Sequence, residues 1–182
     1  MSTALDERIG EVYLQAGEIA ARVRELGAEV ARDYGGREPL LVGPLKACLP
    51  FITDLSQAIP VAHAIDFVQL AGYGSAGLGG HEQIRFLKDL DLEVAGRDVI
   101  VVDEVVDTGL TLNYLCRTLR LRGPESLAAA ALFDRPYRRL VDALPVRYIG
   151  FTVPDEFFAG YGFDLDGRWR NLPDLHLLAD GS

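Results

Sequence analysis

Residues 98–112 read D-VIVV-DEVVD-TGLTL, so an apolar run suited to a buried strand ends in three carboxylates within five residues. No lysine or arginine stands in that stretch to neutralise Asp103, Glu104 and Asp107. Their countercharge must come from another part of the protein or from a ligand. Just downstream, Thr108, Gly109, Leu110 and Thr111 fall where a strand-loop-helix unit opens its helix, and the N–H groups there lack intrahelical partners and cradle an anion. Gly109 lets the backbone approach that anion closely, and the two threonine hydroxyls add donors. A ligand satisfying both ends is a phosphorylated sugar whose hydroxyls, with Mg²⁺, face Asp103 and Glu104; such a hard cation is held by few carboxylates plus water and substrate oxygens. Taken alone, the stretch also reads as an acidic helix entry in which Asp107 is only a cap.

Other chemistry finds little support. His63, His81 and His176 are scattered without an H-E-x-x-H, and Cys48 and Cys116 lie far apart without a C-x-x-C, which suggests two buried thiols. Lys46, a lone charge directly after the apolar run PLLVG, needs either solvent or an anion. A net charge of −9 and a pI near 4.8 oppose binding to a phosphate backbone, so no nucleic-acid partner is expected. The N-terminus is acidic where a signal peptide is basic, and no apolar run reaches the ~18 residues of a membrane span, so a cytoplasmic protein without a membrane partner is expected.

The elements that must position these residues follow from periodicity. Apolar residues from Leu5 to about Asp33 recur at three- to four-residue steps and predict one amphipathic helix. PLLVG (39–43) predicts a strand and LPFITDLSQAI (49–59) a helix. VAHAIDFVQLAGY (61–73) and IRFLKDL (84–90) predict two strands, with GYGSAGLGGH (72–81) between them as a candidate lid. DVIVVD (98–103), SLAAAALFD (126–134) and VRYIGFTV (146–153) predict strands, and LTLNYLCRTLRLRG (110–123) a helix. Near-continuous apolar strands alternating with helices indicate an α/β fold with a central, mainly parallel sheet buried on both faces. Ligands then bind at the carboxyl ends of the strands, with DEVVDTG in the loop after its strand. No repeat or linker divides the chain, and a single domain over residues 1–182 is expected.

VIVVDEVVDTGLTL resembles the signature by which type I phosphoribosyltransferases bind 5-phosphoribosyl 1-diphosphate (PRPP). With LKDLDLEVAGRDVIVVDEVVDTGLTL (87–112), ALFDRPYRR (131–139) and VRYIGFTVPDEFFAGYGFDLDGRWRNLP (146–173), nearly the whole chain is similar to bacterial hypoxanthine (6-oxopurine) phosphoribosyltransferases. The resemblance implies a Mg²⁺-dependent transfer from PRPP to a purine base, giving a nucleoside 5′-monophosphate and pyrophosphate. It also implies a small hood built from chain-terminal segments and a homodimer or homotetramer.

By position, it places Asp103 and Glu104 on the ribose hydroxyls and magnesium, Asp107 near N7 of the base, and Thr108, Gly109, Leu110 and Thr111 on the 5′-phosphate. Lys46, within a Leu45-Lys46 dipeptide often joined by a cis peptide bond, and Arg170 match pyrophosphate ligands. Phe157 matches the ring stacked on the base, Phe158 its backbone contacts, and Asp164 a second magnesium ligand. Arg135 falls where the family has a lysine donating to O6, and Arg139 has a supporting role. Arg138 and Arg139, taken alone, read as a solvated face.

Four positions depart from the family pattern. Gly72-Tyr73 stands for Ser-Tyr in the lid, Ala47 for Gly, Asp103-Glu104 for Glu-Asp, and Arg135 for Lys, whose replacement by a fixed planar fork is not a conservative exchange. That last change raises a modified base such as a 7-deazapurine as a rival substrate. The same fold is also compatible with a regulatory or nucleotide-sensing protein, or with an inactive partner subunit.

Overall fold

In two adjacent strands, residues 98–106 and 126–134, the middle residues 99–102 and 127–133 are all apolar, and both faces are covered. Ile100, Val102, Ala128, Ala130 and Leu132 point into one core, and Val99, Val101, Ala129 and Ala131 into the other. This is the burial that continuous apolar runs require. The computed structural model describes residues 5–73 and 83–179. In chain order the elements are β1 (Ile9–Leu14), α1 (Ala16–Asp33), β2 (Leu40–Leu45), α2 (Leu49–Ala58), β3 (Ala64–Tyr73), β4 (Gln83–Lys88), β5 (Asp98–Val106), α3 (Leu110–Arg120), β6 (Ser126–Asp134), β7 (Val146–Thr152), β8 (Phe158–Ala159) and β9 (Leu175–Leu178). A 3-10 turn, Pro136–Arg138, follows β6.

Six strands form the central sheet in the order β4-β3-β2-β5-β6-β7, parallel throughout except for β4. α1 and α2 cover one face, where Ile19, Leu26, Phe51 and Leu55 are buried to 0% exposure. α3 covers the other through Leu112, Leu115, Cys116 and Leu119. Both cysteines are free and buried, and burial is the main force pushing the Cys116 thiol up to about 12. A second, antiparallel sheet, β1-β9-β8, joins the two ends of the chain as a hood. Among the described residues no helix is long and apolar enough to cross a membrane.

Two expectations need correction. The helix expected from Leu5 starts only at Ala16, because residues 9–14 pair with β9 and form a strand instead. The break is fixed locally: the Gln15 N–H donates to Glu18 Oε2 at 2.9 Å and the Ala16 N–H to Asp174 Oδ1 at 2.7 Å, so a chain-terminal partner caps the helix. Tertiary pairing thereby overrides periodicity. The second correction concerns the acids: β5 runs on to Val106, paired with Asp134 of β6, so Asp103 and Glu104 belong to the strand rather than to a loop.

Parallel pairing brings the carboxyl ends of β2, β5, β6 and β7 to one edge. Lys46, Asp107, Arg135 and the segment leading to Phe157 all emerge there.

Candidate active site

A cleft of about 270 Å³ opens at that edge, lined by Lys46 and Ala47 from the β2 end and by Asp103, Glu104, Asp107, Thr108, Gly109 and Thr111 from the β5 end. Gly109 is the N-cap of α3 with φ 81°, a left-handed backbone that glycine adopts without strain. A Cβ there would also stand 2.8 Å from Leu144 Cδ1. Asp107 therefore does not cap α3. The first N–H groups of the helix face the cleft beside Thr108 and Thr111, while Leu110 is exposed and off the lining. Arg139 buttresses this loop from behind, pairing with Asp134 and donating to the Val106 carbonyl at 3.4 Å.

The peptide bond between Leu45 and Lys46 is cis. Lys46 is exposed and forms no ion pair among the described residues, so its ammonium is free for an anion. Asp103 and Glu104 are likewise without a lysine or arginine at ion-pair distance among the described residues; Asp103 Oδ1 accepts the Glu104 N–H, at 3.0 Å. Burial holds the Asp103 carboxyl above its ordinary range. Burial, and then the neighbouring Asp103 charge, push Glu104 well up, with Arg170 offsetting part of this. Two adjacent hard oxygen donors short of positive charge suit Mg²⁺, which takes few carboxylates and completes its shell with water and substrate oxygens. No group of three His, Cys, Asp or Glu side chains forms a closed metal site among the described residues.

On the other side of Asp107, the strand ends of β6 and β7 build a polar cluster. Arg135 is 6% exposed; its Nη2 donates to Asp155 Oδ1 at 2.9 Å and to the Glu156 carbonyl at 2.7 Å, and its Nη1 lies 3.7 Å from Asp107 Oδ2. Three buried atoms here have no hydrogen-bond partner among the described residues: Asp107 Oδ1, an acceptor, and the donors Arg135 Nε and Arg139 Nε. Phe157 is 62% exposed, an unusual position for a phenylalanine ring. Arg138, expected on a solvated face, instead lies 5.9 Å from the Phe157 ring centroid, 2.5 Å from Asp155 Oδ1 and 3.6 Å from Asp107 Oδ2. The sequence motifs single out neither Arg138 nor Asp155. Their only signal is position, each a few residues beyond the carboxyl end of a sheet strand.

The hood supplies the rest. Phe158 is buried in β8 against Tyr13 and Phe163, with ring centroids 5.4 and 5.9 Å away, so only its backbone is offered to a neighbour. Asp164 pairs with Arg170 at 2.5 Å and accepts the Gly167 N–H at 2.8 Å. Phe157, Asp164 and Arg170 do not line the cleft itself. Gly72 and Tyr73 end β3 opposite Ile84 and Gln83, and the rest of the candidate lid, residues 74–81, lies outside the described residues.

Residues 10–166 match the family described as the phosphoribosyl transferase domain. A hypoxanthine phosphoribosyltransferase of Salmonella typhimurium is 42% identical over 165 residues, covering 90% of this chain and 92% of that protein. A hypoxanthine-guanine phosphoribosyltransferase of Bacillus subtilis is 39% identical over 170 residues, 93% of either chain. The solved structure of a hypoxanthine phosphoribosyltransferase from Staphylococcus aureus superposes with a TM-score of 0.90 at 33% identity, over 98% of this chain and 96% of that one.

Proposed function

The chain belongs to the phosphoribosyl transferase family, and on that premise we propose that it moves the 5-phosphoribosyl group of PRPP onto a 6-oxopurine, hypoxanthine or guanine, releasing pyrophosphate. One observation carries the choice of base. The Asp107 carboxylate, an acceptor, lies 3.7 Å from the Arg135 guanidinium, a donor, and Arg138 links Asp107 to the exposed Phe157 ring. A purine with N7–H and O6 answers both. A 7-deazapurine carries no N–H at that position and leaves the carboxylate oxygen orphaned, which disfavours it.

Displacement at the anomeric carbon builds positive charge on the ribose and negative charge on the leaving group, and the purine loses a ring proton. Asp107 takes that proton, a contribution of roughly 10²–10⁴-fold. Lys46 and Arg170 stabilise the departing pyrophosphate, and in a site closed to water such charges contribute several kcal/mol. The amides and hydroxyls of Thr108, Gly109, Leu110 and Thr111 hold the 5′-phosphate, while Asp103 and Glu104 accept the ribose hydroxyls. Arg135 donates to the exocyclic oxygen, Phe157 stacks on the base and the Phe158 backbone meets its edge. Asp103 and Glu104, with Asp164 as a further carboxylate, would hold Mg²⁺, which would supply neutralisation of the leaving-group charge. Gly72 and Tyr73 anchor the cover that keeps water out. A single domain over 1–182, a cytoplasmic location and a homodimer or homotetramer complete the reading.

The test is incubation with PRPP and Mg²⁺ against a panel of purines and analogues, with products identified by mass. Hypoxanthine and guanine should give the highest kcat/KM. Preferential use of a 7-deazapurine would overturn the choice of base, and PRPP binding without any pyrophosphate release would favour a regulatory or inactive relative.

A further inference from the structure

Three successive hood residues, Gly160, Tyr161 and Gly162, have φ of 96°, 42° and 101°. Left-handed backbone is uncommon for a bulky residue such as tyrosine and persists where the surroundings over-determine it. Here they do. The Tyr161 N–H donates to the Leu172 carbonyl at 2.8 Å, and the Gly162 N–H to the Arg170 carbonyl at 3.1 Å. Arg170 Nη1 returns a bond to the Gly162 carbonyl at 2.5 Å. The Tyr161 ring is 6% exposed, edge-on to Phe133, and its hydroxyl donates to Asp54 Oδ2 at 2.6 Å. Burial and the Asp54 bond push that hydroxyl far up, so it remains a donor at any working pH.

Asp54 stands on α2, the helix that starts three residues after Lys46 and whose Leu49 N–H bonds the Lys46 carbonyl at 3.2 Å. Across the gap, a Cβ on Gly162 would lie 2.4 Å from the Ala47 carbonyl oxygen and 3.7 Å from Glu104 Cβ. The turn therefore presses against the leaving-group loop and the acid pair while carrying Arg170 on its own hydrogen bonds. Tyr161 shares an apolar cluster with Phe51, Ile52 and Leu55 of α2, and the bond to Asp54 is the polar side-chain tie that fixes its position there.

We propose that Tyr161 and Asp54 are positioning residues of the pyrophosphate subsite, whose hydrogen bond fixes the spacing between Lys46 and Arg170 so that both cations meet one leaving group. The inference rests on the proposed function. In that reading neither residue touches substrate, and their substitution should move one side of the reaction only.

Tyr161→Phe and Asp54→Ala are expected to raise KM for PRPP and the inhibition constant of pyrophosphate about tenfold, with KM for the base within about twofold. Asp54→Asn keeps an acceptor for the hydroxyl and should remain close to wild type. The double variant Tyr161→Phe, Asp54→Ala should be no worse than either single one. A Tyr161→Phe protein with a lowered Tm but wild-type PRPP and pyrophosphate constants would show a purely structural role and overturn the inference, as would additive effects in the double variant. If the wild type makes no nucleotide from PRPP, the proposed function falls instead. Calorimetric binding of magnesium pyrophosphate to the same proteins then decides the positioning role separately: weaker binding by Tyr161→Phe supports it and equal binding overturns it.

Discussion

In the free protein Asp103 and Glu104 stand side by side at the cleft floor, with no partner cation at ion-pair distance among the described residues and with the hood turn at Gly162 closing over Glu104. Glu104→Gln removes one of these charges while keeping the side chain's length and shape. Relief of a half-buried, unpaired charge is expected to stabilise the metal-free protein by about 1–2 kcal/mol. For a chain of 182 residues that is a Tm rise of about 2–8 °C.

The sign with pH follows from the raised carboxyls of the pair. In the pH range between the ordinary carboxylate values, 3.8 and 4.5, and the raised ones, the folded state holds protons that the unfolded chain has released. Wild-type stability therefore falls as pH rises through that window. The advantage of Glu104→Gln should grow over the same window and vanish below it. With Mg²⁺ and PRPP the order should reverse: a ligand at 100 times its Kd stabilises the wild type by about 2.7 kcal/mol, and the variant, lacking a carboxylate, should gain much less. Thermal unfolding at several pH values, with and without Mg²⁺ and PRPP, measures both effects. A variant that melts below the wild type without ligand, or gains as much from PRPP, would refute the account of an acid pair waiting for substrate charge.

Other changes should separate the parts of the site. Asp107→Asn should lower kcat by about 10²–10⁴-fold while leaving KM for PRPP within about threefold, as steady-state kinetics would show; an unchanged kcat would remove Asp107 from proton transfer. Arg138→Ala should raise KM for the base and leave that for PRPP alone, since Arg138 meets Phe157, Asp155 and Asp107 rather than residues 108–111, the proposed phosphate loop. Gly162→Ala puts a Cβ 2.4 Å from the Ala47 carbonyl oxygen at a φ of 101°, and should destabilise the fold by about 1–3 kcal/mol. A melting curve unchanged from wild type would contradict it.

How far the fold and the site are legible in the sequence varies with the kind of signal. The strand at 126–134 is delimited correctly because its middle is buried by two layers, so composition alone marks it. β1 reads as part of a helix because its decisive partner, β9, lies at the far end of the chain and leaves no local trace. β5 reads as ending at Asp103 because charge in a strand looks like a loop until the ladder to Asp134 is seen. At the site, the cleft gathers Asp103, Glu104, Asp107, Thr108, Gly109 and Thr111 from one motif, and with them Lys46, which only the family resemblance joins to that motif in the sequence. Arg138 escapes because an arginine doublet is ordinarily solvated, and only the turn at Pro136–Arg138 aims one of the two at Phe157. Tyr161 and Asp54 are 107 residues apart, and no local pattern pairs them.

The strand order has a stereochemical consequence. Along the site edge the strands run β2, β5, β6, β7, and neighbours lie about 4.8 Å apart. On the proposed reading, β2 brings the pyrophosphate ligand Lys46, β5 holds the sugar, and β6 and β7 present the base. The leaving group and the incoming nitrogen are therefore on opposite flanks of the sugar before any bond changes. Attack from that side inverts the anomeric carbon, so the handedness of the product is set by the order in which the strands were laid into the sheet.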